Sequence, residues 1–225
     1  MPSKSEQLAY WFFRLNGFLT IPNFVVHLEA QMHEKGFRQG TDVDVLGVRF
    51  PFRAELRKDP KGPMKDYEEF NTNKTLLILA EVKKGSGNFN KSWCKEEIIE
   101  SILDAVGLMK EMEMEELKVS ETLTDKGKFE NDNICIRLCL VGYQKKGEFS
   151  KFPEALRISW EDVANFIFER FYEYRLQKSP HQQWDETGKR LWDLAIICSD
   201  YGPEKGKSKF FELIKKEFIS PSSTD

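Results

Sequence analysis

The feature that most constrains this chain of 225 residues is an apolar run that ends in an acidic and a basic side chain. Residues 75–80 read TLLILA, a nearly continuous apolar stretch that is typical of a strand buried on both faces of a sheet. Side chains alternate along a strand, so Glu81 and Lys83 are expected on the same face as Leu79. An acid and a base that close a buried strand are costly to desolvate unless they pair, bind a metal or take part in chemistry.

Length and composition indicate a soluble globular protein. The chain is long enough to bury a substantial core, with 40% hydrophobic and 32% charged residues. No apolar run approaches the roughly 20 residues of a membrane span, and the N-terminus lacks the apolar segment of a signal peptide. We therefore expect a cytoplasmic protein without a membrane partner. The spacing of the cysteines favours buried free thiols over zinc ligands or disulfides. They are Cys94, Cys135, Cys139 and Cys198.

The distribution of charge leaves room for a nucleic-acid partner, although the formal net charge is −3. Residues 96–132 hold 12 acidic and 4 basic side chains, so the rest of the chain holds 30 basic against 25 acidic ones. A basic surface outside this segment is therefore permitted. For the lysines near the C-terminus, the alternative is an ordinary solvated helix face. The candidate nucleic-acid contacts are Lys84, Lys205, Lys207 and Lys209.

Hydrophobic periodicity predicts an α/β chain in which a helix and three strands precede a second helix and a fourth strand. Residues 51–74, rich in Pro, Gly, Lys, Asp and Asn, are predicted to be an excursion between two paired strands. Residues 119–132 are predicted to be a polar connection. The predicted helices are 3–16, 92–117, 159–176, 185–199 and 204–218, and the predicted strands are 18–27, 42–50, 75–83 and 134–143.

Three further acids are candidates for a site. Alternation places Asp42 and Asp44 on one face of the second predicted strand, and Val43 and Val45 on the other. Aspartate is disfavoured in strands, so the two aspartates mark either the end of a loop or a pair of ligands. Glu6 lies in the first turn of the first predicted helix, where the helix dipole by itself favours a carboxylate.

An aspartate in one predicted strand and the triplet Glu81-Val82-Lys83 at the end of the next resemble the motif of the PD-(D/E)xK nuclease superfamily. The resemblance covers residues 5–143. The chain departs from the motif in two ways. Val43 stands where a proline is common, and 36 residues separate Asp44 from the triplet, an interval that the 51–74 excursion would absorb.

The resemblance implies a restriction-endonuclease-like fold of the α/β class. In that fold a mixed central sheet is flanked by helices, in the order αβββαβ. Residues 1–145 would form this nuclease core, and residues 146–225 would form a helical C-terminal extension packed on it.

The resemblance also implies a metal-dependent active site. Neighbouring strands lie about 4.8 Å apart, so two carboxylates on them can reach one cation. All-oxygen ligation suits Mg²⁺ or Mn²⁺. In the superfamily the main-chain carbonyl of the middle motif residue is a ligand, and a glutamate of the first helix sometimes joins the site. The implied catalytic residues are Asp44, Glu81 and Lys83, and the implied metal ligands are Asp44, Glu81 and the carbonyl of Val82, with Asp42 and Glu6 as additional candidates.

The expected function is therefore hydrolysis of phosphodiester bonds by a Mg²⁺-dependent endonuclease, with DNA favoured over RNA. A homodimer would be compatible with cleavage of both strands. Two alternatives stay open. The chain is a catalytically inactive nucleic-acid or protein-binding module that keeps the fold, or the acids and Lys83 form an ion-pair network without a metal.

Overall fold

The computed structural model describes residues 2–27, 39–55, 59, 62–85, 87–108, 116–142, 151–179 and 184–220. The strands are β1 (Leu19–His27), β2 (Gln39–Arg49), β3 (Thr75–Val82), β4 (Lys128–Glu130), β5 (Ile134–Val141) and β6 (Leu156–Ile158). The α-helices are α1 (Lys4–Leu15), α2 (Glu96–Val106), α3 (Glu116–Lys126), α4 (Trp160–Glu173), α5 (Arg175–Lys178), α6 (Glu186–Ser199) and α7 (Pro203–Ile214). Short 3-10 turns at Glu68–Phe70 and Lys91–Cys94 and a π turn at Lys215–Ile219 complete the described elements.

The six strands form one mixed sheet. The order is β1-β2-β3-β5-β4, and β6 pairs with β5 as well. The β1–β2 and β2–β3 pairs are antiparallel, whereas β3 and β5 run parallel. Parallel neighbours need a crossover connection, and the chain between β3 and β5 contains α2 and α3. The fold is therefore α/β, with a mixed sheet flanked by helices, as the sequence predicted.

Two hydrophobic clusters cover the two faces of the sheet. Leu77 and Leu79 pack in the cluster that contains α2 and α3, whereas Ile78 and Ala80 pack in the cluster that joins α1 to α4, α6 and α7. Every side chain of β3 from Leu76 to Glu81 is buried. The prediction of a strand buried on both faces is confirmed.

The first helix follows its sequence signals closely. Ser3 is the N-cap of α1, and Ser3 and Glu6 form a capping box in which each side chain accepts a hydrogen bond from the other residue's main chain. No helix in the described part of the chain is both long and apolar enough to cross a membrane. All four cysteines are free thiols, and Cys135, Cys139 and Cys198 are buried.

The predicted helix over 92–117 is wrong in extent. Its first residues belong to a 3-10 turn, and α2 ends at Val106. Gly107 causes this end because it adopts a left-handed φ of +81°, which stops an α-helix at little cost only for glycine. Residues 109–115 lie outside the described part.

The predicted polar connection over 119–132 is also wrong. It contains most of α3 and all of β4. Val119, Leu123 and Phe129 from this segment are buried in the cluster around α2. These three apolar residues are spread among many charged ones, so the composition of residues 119–132 indicates a polar connection. Their burial nevertheless packs the segment against the rest of the fold.

One of the helices that follow β6, α6, packs against α1 at a contact too close for a larger side chain. Gly188 of α6 lies against the ring of Trp11, and a Cβ atom at position 188 would lie 2.1 Å from that ring. Alanine gains about 1 kcal/mol of helix propensity, but an overlap of this size puts the cost of overpacking at about 2–3 kcal/mol, the upper end of its usual range. We expect Gly188→Ala to lower the free energy of unfolding in urea by about 1–2 kcal/mol. Lys189→Ala at the exposed next position should change it by less than about 0.5 kcal/mol, and equal losses would contradict the packing argument.

Candidate active site

The end of β3 carries a buried ion pair. Glu81 is 3% exposed, and its Oε1 atom lies 2.6 Å from Nζ of Lys83. The main-chain N–H of Asn90 donates to Oε2 of Glu81 at 2.8 Å, and Nζ of Lys83 also donates to Oδ1 of Asn90 at 3.2 Å. Oε1 of Glu81 has the ion pair but no aligned hydrogen bond, so this buried oxygen has unused acceptor capacity.

The main chain of Lys83 is fixed on two sides. Its N–H donates to the carbonyl of Val141 at 2.9 Å, and its own carbonyl accepts a hydrogen bond from Nε1 of Trp160 at 3.0 Å. Gly142 allows this close approach, because a Cβ atom there would lie 2.0 Å from the Lys83 carbonyl oxygen. The lysine side chain therefore projects from a rigid point of the sheet.

Three residues of this arrangement were missed by the sequence analysis: Asn90, Trp160 and Gly142. The sequence around Asn90 predicts a loop, and nothing in it indicates that an N–H in this loop meets a buried carboxylate. Trp160 follows Ser159, the N-cap of α4, and reads as an ordinary core aromatic at a helix start. A glycine at the end of an apolar strand was the one available signal of a close main-chain contact.

Asp44 lies inside β2 and not at a strand start as predicted, because β2 begins several residues earlier. The described register ends with Val45 paired to Ala80, so Asp44 and Glu81 are the residues next to this pair on the two neighbouring strands. Its Oδ2 atom accepts a hydrogen bond from the main-chain N–H of Val82 at 2.6 Å. The structure thus brings the predicted aspartate and the predicted triplet together on neighbouring strands.

Regular alternation in β2 stops at Asp44. Val43 packs in the cluster around α2 and Val45 in the cluster around α1, so the prediction that they share a face is wrong. In β1, Asn23 lies between the residues paired with these two valines, and its φ is +48°. Asparagine is one of the few residues that adopt this left-handed conformation readily. The Asp44 carboxylate therefore lies at a local break in the strand pairing.

The carboxyl group of Asp44 is surrounded by other acids. Burial is the largest cause of a pKa that rises from 3.8 to about 6. The negative charges of Glu6, Asp42 and Glu81 raise this pKa as well, whereas the hydrogen bond from Val82 lowers it. Like charges that meet in a partly buried place favour the neutral form of one of them, and a cation would relieve the same repulsion.

Within the described residues, no three His, Cys, Asp or Glu side chains are already arranged around one point as a metal site. Glu6 is engaged in the capping box, where its Oε2 accepts from the N–H of Ser3 at 2.9 Å and its Oε1 from the hydroxyl of Ser3 at 2.8 Å. The helix-start role that the sequence suggested for Glu6 is thus present. The carboxylates that β2 and β3 carry at this place are those of Asp44, Glu81 and the exposed Asp42.

The candidate nucleic-acid lysines lie in two places. Lys84 is exposed directly after Lys83. The other three lie on α7, where Lys207 forms an ion pair with Glu169 of α4. Lys205 and Lys209 on the same helix are exposed. The ammonium group of Lys209 lies 4.4 Å from the centre of the Tyr201 ring.

Comparisons of the chain with protein-family models, with curated proteins and with solved structures found no match. They assign the chain to no family. The functional argument therefore depends on the contacts, burial and charges of the side chains described above.

The Asp44 carboxyl should make the free energy of unfolding depend on pH. Its raised pKa means that the folded protein binds this proton more tightly than the unfolded chain does, so the stabilising contribution is complete below pH 3.8 and is lost as the pH rises through about 6. Asp44→Asn keeps an acceptor for the Val82 N–H and removes the charge. We expect a gain of about 1–2 kcal/mol in the free energy of unfolding at pH 7.5 in metal-free buffer, less than full linkage because the carboxyl is partly exposed.

The gain should shrink towards zero as the pH falls to about 3, because both states of the wild type are then protonated. Asp193→Asn is the matched control, since Asp193 is exposed on α6. It should give no such pH-dependent gain. A gain from Asp44→Asn that persists at low pH would contradict the carboxylate cluster.

Proposed function

We propose that this chain is a metal-dependent nuclease of the restriction-endonuclease-like fold that hydrolyses phosphodiester bonds, with DNA as the favoured substrate. The observation that carries the proposal is that Asp44 accepts a hydrogen bond from Val82 of the neighbouring strand and feels the charge of Glu81, with Lys83 held beside Glu81. The element order supports it, since a helix, an antiparallel β1-β2-β3 unit and a crossover precede a parallel strand. The departure is that α3 and β4 are inserted before that strand.

Lys83 is suited to act on a phosphate. Its main chain is held by Val141 and Trp160, and its side chain is 28% exposed at the ion pair with Glu81. From there an ammonium group can orient a water molecule and offset the negative charge that builds up on a phosphate in hydrolysis. Asn90 holds the same ammonium from the other side and is thus a positioning residue in the proposal.

The residues fit a hard divalent cation, Mg²⁺ or Mn²⁺. Asp44 lies among like charges, so a cation would improve its environment, and Oε1 of Glu81, which the Lys83 ammonium already contacts, has further acceptor capacity. Asp44, Glu81 and the carbonyl of Val82 would hold it, with Asp42 and Glu6 as the further acids that act on Asp44. A bound ion of this kind lowers the pKa of a water molecule and neutralises charge on a phosphodiester.

The proposal divides the chain into a nuclease core, residues 1–145, and an extension, residues 146–225, whose described part is mainly helical but adds β6 to the sheet beside β5. The extension packs on the core, because α4, α6 and α7 share one hydrophobic cluster with α1 and β3. Lys84 and the exposed lysines of α7 are the proposed contacts to the nucleic-acid backbone. Two copies of the chain would supply the two sites needed to cut both strands of a duplex.

A second candidate is a binding module without catalysis. The closed ion pair between Glu81 and Lys83 favours it, as does the lack of three ligating side chains around one point in the described residues. In that case the ion pair has a structural role. Removing one partner of a buried ion pair costs about 3–5 kcal/mol.

Cleavage assays with Mg²⁺ test the enzyme directly. We expect Lys83→Ala to lower the cleavage rate of labelled DNA by about 100-fold or more, the usual loss when one group that stabilises a transition state is removed. Glu81→Ala should also lose activity, with partial recovery in excess Mn²⁺, because it removes a ligand and not the ammonium group. Lys118→Ala, at an exposed position of α3, is the control and should keep the wild-type rate.

Thermal melts separate the two candidates without a substrate. For the nuclease, Mg²⁺ at about ten times its dissociation constant should stabilise the wild type by about 1.4 kcal/mol, and should not stabilise Glu81→Ala. For the binding module, Mg²⁺ has no effect on the wild type, and Glu81→Ala melts far lower. That second pattern, together with inactive wild-type protein, would rule out the nuclease.

A further inference from the structure

An open pocket lies where the 51–74 excursion leaves β2 and rejoins β3. Its volume is about 400 Å³, within the range of pockets that hold small ligands. Glu81 lies at the opposite end of β3, so a strand length of about 20–25 Å separates this pocket from the candidate active site. The lining combines cationic, aromatic, amide and hydroxyl side chains: Arg49, Phe52, Arg53, Asn71, Thr72 and Asn73.

The ion-pair network behind the pocket has more cations than carboxylates. Asp66, whose side chain is 5% exposed, pairs with three arginines at 2.7, 2.7 and 3.1 Å. Glu55 pairs with one of these arginines at 2.6 Å and with a lysine at 3.5 Å. In these ion pairs two carboxylates therefore contact four cations, and Asp59, which accepts from Gln177 at 3.4 Å, is a further acid nearby. The cations are Arg49, Arg53, Arg170 and Lys178.

The cationic wall of the pocket is rigid. The guanidinium group of Arg49 is buried and donates to the carbonyls of Asn16 and Phe70 as well as to Asp66. Arg53 donates to Asp66 and to Glu55, and its side chain is 20% exposed. A fixed, partly desolvated positive wall attracts an anion more strongly than mobile surface lysines do, because little conformational entropy is lost on binding.

An aromatic ring stands beside this wall. Phe52 is 84% exposed and has a φ of +59°, an unusual combination for a bulky side chain. Phe50, two residues earlier, is 59% exposed but does not line the pocket. The ring of Phe52 is therefore offered to the pocket and to solvent together, as a flat surface next to a positive charge.

We propose that this pocket binds a single-stranded segment of nucleic acid, with one base stacked on Phe52 and the adjoining phosphate held by the positive wall at Arg53. A flat ring next to a positively charged groove is the combination with which proteins bind single strands. The polar side chains of Asn71, Thr72 and Asn73 offer both donors and acceptors, which suits the edge of a base. A paired duplex keeps its bases stacked inside and has no base free for Phe52.

The chemistry favours nucleic acid over an acidic peptide. A peptide carboxylate would use the cations alone, whereas a nucleotide uses the cations, the ring and the amide groups together. The proposal deepens the proposed function, because it rests on nucleic acid as the substrate and adds that the substrate carries an unpaired stretch. It needs no metal, so binding can be measured apart from cleavage.

The test is binding of a fluorescent oligothymidylate of about 15 nucleotides to the full chain in EDTA, measured by anisotropy. We expect Phe52→Ala to weaken binding about tenfold, because loss of one base-stacking ring has an effect of this order. Phe52→Tyr keeps the ring and should bind like the wild type. Phe50→Ala is the matched control, with the same residue type exposed two positions away, and should bind within about twofold of the wild type.

Several outcomes would overturn the proposal. One is an equal loss of oligothymidylate affinity in Phe52→Ala and Phe50→Ala. Another is a loss of affinity in Phe52→Ala that is equally large for a duplex of the same length. A third is binding of free thymidine monophosphate as tight as that of the oligothymidylate. Competition by polyglutamate as strong as that by the oligonucleotide would assign the pocket to acidic peptides. Binding that depends on Phe52 in a protein that never cleaves DNA would keep the pocket and remove the nuclease. Cleavage of DNA, together with oligothymidylate binding that Phe52→Ala leaves unchanged, would keep the nuclease and remove the pocket.

Discussion

The structure depends on one strand that is paired on both edges and buried on both faces. β3 lies between β2 and β5, and its side chains alternate between the two hydrophobic clusters. Its end is fixed by the contacts of Lys83 with Val141 and Trp160. Glu81 and Lys83 can be held beside each other at this end of β3 because hydrogen bonds on both sides fix the main chain that carries them. The candidate site uses the most constrained part of the sheet.

The same constraint has an electrostatic cost. Asp44 is held where burial and three neighbouring acids oppose its ionisation, and Glu81 keeps an oxygen without an aligned hydrogen bond. A chain selected for stability alone would be expected to replace such groups with apolar ones. Both acids lie next to the same pair of residues on neighbouring strands, so this cost is concentrated at one end of the sheet.

The two ends of β3 are chemically different. Three acids act on Asp44 at one end, where Lys83 and the exposed Lys84 are the basic groups that follow β3, whereas the end near the 51–74 excursion places three arginines around Asp66. The excursion leaves β2 and rejoins β3 at this second end, far from Glu81. In the absence of a bound cation, a polyanion would be repelled by the acids near Glu81 and attracted by the arginines around Asp66. This charge distribution is the one expected if substrate binding and metal-dependent chemistry take place at opposite ends of β3.

Sequence alone determined the features that depend on neighbours along the chain: the buried strand that begins at Thr75 and the cap of α1 at Ser3. These follow from side-chain alternation, apolar runs and capping chemistry, which act over a few residues. Tertiary structure decided the rest. The Trp160 indole reaches the Lys83 carbonyl across 77 positions, and the break in β2 at Asp44 faces Asn23 on another strand. Such contacts are set by how sheets and helices pack, and local periodicity carries no information about them.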